Sequence, residues 1–219
     1  MDAYGKTALV MGATGLVGMH VLDLLVASDQ YQTIHVAGRN APQQQSPKIV
    51  FHRIALADVA LLPVARIDDV FCALGTTIAK AGSQDAFRVV DYDAVVGLAE
   101  WARQKGARHF AVVSSIGANA QSKKFYLRTK GQMEQRLGQL GPGTLIIVRP
   151  SLLLGQRNEF RFAEKLGEYC FKVLGPLMVG KLKKFRPIKA EKVANAMVML
   201  SESRSGDIYI EESNDLQRF

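Results

Sequence analysis

The sequence predicts an α/β fold built on a doubly wound parallel sheet, and three observations carry that prediction. A short apolar run, Thr7–Met11, leads directly into the glycine turn GATGLVG (Gly12–Gly18) and then into an apolar-periodic stretch through Val21, Leu22, Leu24 and Leu25. That order is strand, turn, helix. Beyond it, strand-like and helix-like segments alternate along the chain, as helix-covered parallel sheets require. Length and composition agree, because 219 residues at 48% hydrophobic and 22% charged are enough for a single well-filled core.

The elements follow in order. Thr33–Ala37 reads as a second strand ending in Gly38-Arg39-Asn40, and Lys48–Arg53 as a third after a Gln/Pro/Ser loop. Asp69–Ala73 is a fourth, running into Leu74-Gly75-Thr76-Thr77. A long helix with apolar positions Phe87, Val90, Val95, Val96, Leu98 and Trp101 extends to about Gly106. Phe110–Val113 makes the fifth strand, a helix carrying YLRTK follows, and Thr144–Val148 makes the sixth. Right-handed crossovers then set the first and fourth strands side by side at a topological switch point. The region from about Leu152 is less regular, with helical patterns near Phe160–Leu174 and Ala190–Ser201 and a short strand at Asp207–Glu211. It is too short for a core of its own. One domain over residues 1–219 is therefore expected, with 152–219 as an appendage on the substrate side of the sheet.

The glycine turn has an assignable chemistry. Its spacing is GxxGxxG and not GxGxxG, a partial match to the dinucleotide fingerprint. Gly12 permits the tight turn, Gly15 lets backbone approach a pyrophosphate, and Gly18 lets the helix sit close to the strand. Backbone N–H groups and the helix dipole attract phosphates there. With Thr14, Leu16 and Val17, these glycines are the candidate diphosphate loop of a Rossmann domain.

Tyr126 and Lys130 stand four residues apart in YLRTK, eleven residues beyond Ser115. Residues at that spacing share a helix face. A nearby cation favours the phenolate over the phenol, so a phenol beside an ammonium is suited to exchange a proton near neutral pH. The fifth strand ends in Ser114-Ser115, and spacing leaves open which serine faces the same space.

These motifs together resemble the short-chain dehydrogenase/reductase superfamily. The segments FCALGTTIAKAGSQDAFRVVDYD (Phe71–Asp93), VVSSIGANAQSKKFYLRTKGQMEQ and RPSLLLGQR are similar to its atypical branch, typified by the Tat-interacting protein 30-type oxidoreductases and their bacterial relatives. The resemblance implies Tyr126 as acid/base, Lys130 on the nicotinamide ribose, and Ser114 or Ser115 polarising a substrate carbonyl. It also implies Leu74 and Gly75 along the adenine ribose or diphosphate, Pro150 through Leu153 beside the nicotinamide, and Arg157 and Arg161 near the cofactor or substrate. The substrate would be a small carbonyl compound of unspecified identity. A non-catalytic NADPH-binding sensor acting through a protein partner is the alternative, because those relatives include regulators.

Cofactor preference is legible at the end of the second strand. An acid there, about 20 residues past the glycine loop, would bind the ribose 2′-hydroxyl of NAD. This chain has Arg39, 21 residues after Gly18, and no acid until Asp58. A guanidinium pairs with a 2′-phosphate where a carboxylate repels it, so Arg39, with Asn40 beside it, points to NADP(H).

The remaining composition excludes more than it identifies. No apolar run reaches the 18 or so residues of a membrane span. The start MDAYGKT has no signal-peptide core, and Cys72 and Cys170 form no disulfide or zinc pattern; a cytoplasmic enzyme is expected. The net charge of +8 draws on Gly180–Lys192, which holds six cations. Without aromatic interleaving or a nucleic-acid module this is a solvated segment, and nucleic-acid binding is not expected. His20, His35, His52 and His109 lack metal-ligand spacing.

Overall fold

The computed structural model describes residues 5–155 and 185–219. Seven parallel strands form one sheet: β1 (Lys6–Met11), β2 (Tyr31–Gly38), β3 (Ile49–Arg53), β4 (Asp69–Cys72), β5 (His109–Val113), β6 (Thr144–Arg149) and a C-terminal strand, Ile208–Glu212. The spatial order is β3-β2-β1-β4-β5-β6 and then the C-terminal strand. β1 pairs with both β2 and β4, so the chain reverses direction across the sheet between β1 and β4. Loops at the C-terminal ends of those two strands diverge to opposite faces and leave a crevice, the usual ligand position in such sheets.

Alternation along the strands divides the core in two. Ala8 and Val10 of β1 face helix α1 (Leu16–Ala27) and the C-terminal helix Ala190–Ser203, in a cluster with Val21, Leu25, Val193 and Met197. Leu9 and Met11 face the opposite layer with Val95, Leu98, Trp101 and Met133. That layer contains α3 (Gln84–Arg88) and α4 (Ala94–Gln104), which follow the short α2 (Ile78–Ala81), and then α5 (Phe125–Leu140), which carries YLRTK. Uniform burial on both faces explains why Val70–Cys72 of β4 and Leu145–Val148 of β6 read as unbroken apolar runs.

Two details differ from the sequence expectation. The long helix predicted up to Gly106 is broken by a π turn at Val89–Asp93, between Gln84–Arg88 and Ala94–Gln104. Single π turns within helices recur at functional sites, and this one holds Asp91. The described part of the C-terminal region, expected as an appendage, is also built into the sheet and its helix layer. Ile208–Glu212 is the seventh strand, paired with β6, and Ala190–Ser203 lies against α1. The predicted helix at Phe160–Leu174 lies outside the described residues. Among the described residues no helix is long and apolar enough to cross a membrane.

Candidate active site at the switch point

The glycine loop has the close approaches its sequence calls for. Gly12 adopts φ +88°, and a Cβ there would lie 2.6 Å from the Ala73 carbonyl oxygen at the end of β4. A Cβ on Gly18 would lie 2.1 Å from the Gly12 carbonyl oxygen, so only glycine lets α1 start this close to β1. Gly15 is the N-cap of α1; no side chain caps the helix, and its first turn holds no acid. The first-turn N–H groups of Leu16, Val17 and Gly18 therefore meet the loop without a competing side chain, as anion sites at helix starts do. Thr14 is exposed beside them. Gly155 approaches the same loop, since a Cβ on it would lie 2.8 Å from Leu16 Cδ2.

The other wall is made by the ends of β4 and β5 with α5. Lys130 Nζ lies 2.7 Å from Asp91 Oδ1 and donates to the Val113 carbonyl at 3.3 Å. Both partners of the ion pair are buried, Lys130 at 2% exposed and Asp91 at 0%. The other carboxylate oxygen accepts from the Thr76 N–H at 2.9 Å. Lys130 is thereby fixed by three elements: the π turn, the loop after β4, and β5. Gly75 and Leu74 border this cluster, Gly75 exposed and Leu74 half-buried. Tyr126 stands one turn before Lys130, half-buried with its ring 5.3 Å from Phe87. Its hydroxyl makes no hydrogen bond among the described residues. Burial pushes the neighbouring Cys72 thiol up to about 11, so it stays protonated beneath the site.

Asp91 was absent from the sequence expectation, although a signal existed. It is four residues from both Phe87 and Val95, which are fully buried. Helical periodicity therefore assigns this acid to the inner face, where an unpaired carboxylate is costly.

The two serines separate clearly. Ser114 is buried and donates its hydroxyl to Glu134 Oε1 at 2.5 Å. Glu134 is gripped by both ends of the Arg149 guanidinium, at 3.0 and 2.6 Å, and Arg149 also reaches Glu212 at 2.8 Å. The Glu134 hydrogen bonds hold Arg149 charged more firmly than a free arginine. Both serines lie just past the end of β5, and Ser115 makes only a long 3.4 Å contact to the Ile116 carbonyl. Its hydroxyl makes no other hydrogen bond among the described residues. Nothing in the sequence marked Glu134 or Arg149, which meet only through the fold.

The other expected positions are distributed around the crevice. Arg39 and Asn40 are exposed at the C-terminal end of β2, and Arg39 has no polar partner among the described residues. The Pro150 carbonyl accepts from the Ile116 N–H at 3.0 Å, which sets this turn beside the serines. Leu153 pairs with Ile188 in a two-stranded ribbon. Arg157, Arg161 and Cys170 lie outside the described residues, as do Lys181, Lys183 and Lys184 of the basic segment. Among the described residues no group of three or more His, Cys, Asp or Glu side chains is arranged to hold a metal.

A sequence profile of NAD(P)H-binding proteins matches residues 12–168, from the first glycine of the loop onward. The chain belongs to the NAD(P)H-binding family. Among the relatives of this NAD(P)-binding domain is the mitochondrial FMP52 protein of Debaryomyces hansenii, 34% identical over 203 residues that cover 89% of this chain and 87% of that one. The fold is also that of a short-chain dehydrogenase family protein from Francisella tularensis, with a TM-score of 0.68, 11% identity and coverage of 97% and 99%. MoeE5, solved with UDP-glucose and NAD, superposes with a TM-score of 0.70 at 18% identity, covering 95% of this chain and 76% of its own. The superfamily expectation holds at the level of an NAD(P)-binding fold. The relatives are FMP52 proteins, however, and not specifically the Tat-interacting protein 30 branch that the motifs resembled. The cytoplasmic location is corrected as well, because FMP52 relatives from several fungi are named as mitochondrial proteins.

The residues present suit a dinucleotide. The Gly12 and Gly18 cradle would be filled by any side chain, and α1 begins uncapped at the crevice.

Proposed function

We propose that this protein is an NADP(H)-dependent oxidoreductase that reduces a small carbonyl compound, with Tyr126 as the acid/base. The observation that carries the reading is the buried Lys130, anchored to Asp91 and the Val113 carbonyl one turn from an uncommitted Tyr126 hydroxyl. A bound reduced nicotinamide would supply the hydride for the carbonyl carbon. Tyr126 gives its phenolic proton to the carbonyl oxygen as the C=O bond becomes C–OH, and recovers a proton from solvent. Ser115 donates a hydrogen bond to the same oxygen, while Ser114 stays with Glu134. Lys130 donates to ribose hydroxyls from its fixed position. Arg39, exposed and unengaged at the end of β2, pairs with the 2′-phosphate and sets the preference for NADP(H).

An NADPH-oxidation screen over aldehydes, ketones and quinones tests this reading, with Tyr126→Phe and Ser115→Ala beside the wild type. Tyr126→Phe keeps NADPH affinity to within one hydrogen bond, about 0.5–1.5 kcal/mol. It loses turnover by roughly 100-fold or more, the usual contribution of a positioned proton donor. Turnover at the wild-type rate in Tyr126→Phe would reduce the tyrosine to a cofactor contact. A non-catalytic NADPH sensor acting through a protein partner would then be the better account.

A further inference from the structure

We infer that Asp91 is a positioning residue that balances the charge of Lys130 and so sets the pH range over which Tyr126 works; the inference rests on Tyr126 being the acid/base. An ammonium on α5 alone would exert its full field on a phenol one helical turn away. Here that ammonium is 2.7 Å from a fully buried carboxylate, and the pair as a unit carries no net charge. The carboxylate is itself pinned, because its second oxygen accepts the Thr76 N–H at 2.9 Å. Among the described residues, neither Asp91 nor Lys130 has another ion-pair partner. The groups that face the pair are few. They are the Val113 carbonyl from β5, the Thr76 N–H from the loop after β4 and the protonated Cys72 thiol from β4, which feels both charges, while Tyr126 stands one turn before Lys130 on α5 with its ring against Phe87. Asp91 is thus the one negative charge set against Lys130 there, among the described residues.

A purely structural anchor and a charge-balancing one differ in how the pH profile responds to removal of each partner. Reduction needs the Tyr126 proton, so its rate falls on the alkaline side as the phenol ionises. Asp91→Asn leaves the ammonium uncompensated and favours the phenolate, which moves that alkaline limb to lower pH. Lys130→Met leaves the carboxylate uncompensated and moves the limb upward. An anchor that only held shape would lower the rate in both variants without opposing shifts.

The experiment measures NADPH-dependent reduction of phenanthrenequinone against pH in the wild type, both single variants and the double variant. Thermal midpoints of the same four proteins are measured without cofactor. Opposite limb shifts in the single variants, with the double variant returning near the wild type, are expected. Each single variant also melts well below the wild type, because a buried charge left alone is strongly destabilising. The double variant recovers most of that loss, since neither charge remains unpaired. Parallel limb shifts, or thermal losses that simply add in the double variant, would overturn the inference. Failure of the catalytic reading is distinguishable, because wild-type turnover would then be absent or insensitive to Tyr126→Phe while the thermal cycle still reports on the pair.

Discussion

Replacing Gly18 with alanine tests the phosphate cradle at a single atom. The added Cβ would stand 2.1 Å from the Gly12 carbonyl oxygen, 2.7 Å from its carbon and 3.0 Å from Ala13 Cα. All three are backbone atoms and cannot turn aside as a side-chain tip would. To restore ordinary contact of about 3.4 Å, the start of α1 must retreat by more than 1 Å from the loop. Overpacking of this kind costs about 1–3 kcal/mol, only partly offset by the better helix propensity of alanine, about 1 kcal/mol. For a chain of this size each kcal/mol lowers the thermal midpoint by roughly 2–4 °C, so a fall of several degrees is expected. The larger effect falls on binding. A hydrogen bond to a charged phosphate contributes about 1.5–3 kcal/mol, and a retreat of 1 Å takes N–H···O distances out of range. NADPH affinity, measured by calorimetry, should fall by roughly 10- to 100-fold. Gly97→Ala is the matched control, because its Cβ would meet only Val59 Cγ1 at an ordinary 3.7 Å. It should leave affinity untouched and hold or raise the midpoint. A Gly18→Ala protein with wild-type midpoint and affinity would refute the close-approach reasoning.

Arg39→Ala should weaken NADPH several-fold and leave NADH nearly unchanged, and equal affinities of the wild type for both cofactors would remove Arg39 from the cofactor site. The histidines predict opposing pH trends in stability. Hydrogen bonding to Asp69 at 2.6 Å raises the pKa of His109, so its contribution is fully present below pH ~6.5 and is lost as pH rises through the raised value. The gap in thermal midpoint between wild type and His109→Asn should therefore shrink toward alkaline pH, and a constant gap would contradict the sign. Burial lowers the pKa of both His35 and His52, whose ring nitrogens lie 2.8 Å apart. Their contribution is present above pH ~6.5 and is lost as pH falls through the lowered values, so His52→Asn should flatten the acid side of the stability profile.

Local patterning determined more of this protein's fold than of its site. The strand, glycine turn and helix at Thr7–Leu25 were legible because each depends on neighbours in the chain, and Gly18 is required by a contact within one βα unit. Tyr126 and Lys130 were legible for the same reason, since four-residue spacing fixes a shared helix face. Pairing across the sheet is different in kind. Ser114 and Ser115 are indistinguishable as letters, and only the approach of Glu134 and Arg149 from α5 and β6 commits one hydroxyl and leaves the other free. Periodicity turns Asp91 inward, but only the π turn and the loop after β4 set it against Lys130. The C-terminal strand joined the sheet because β6 offered an open parallel edge, a fact no local pattern at Ile208–Glu212 contains. Backbone preference and periodicity act over a few residues and can be read along the chain. Compensation of buried charge acts through space, and only the tertiary structure decides which charges meet.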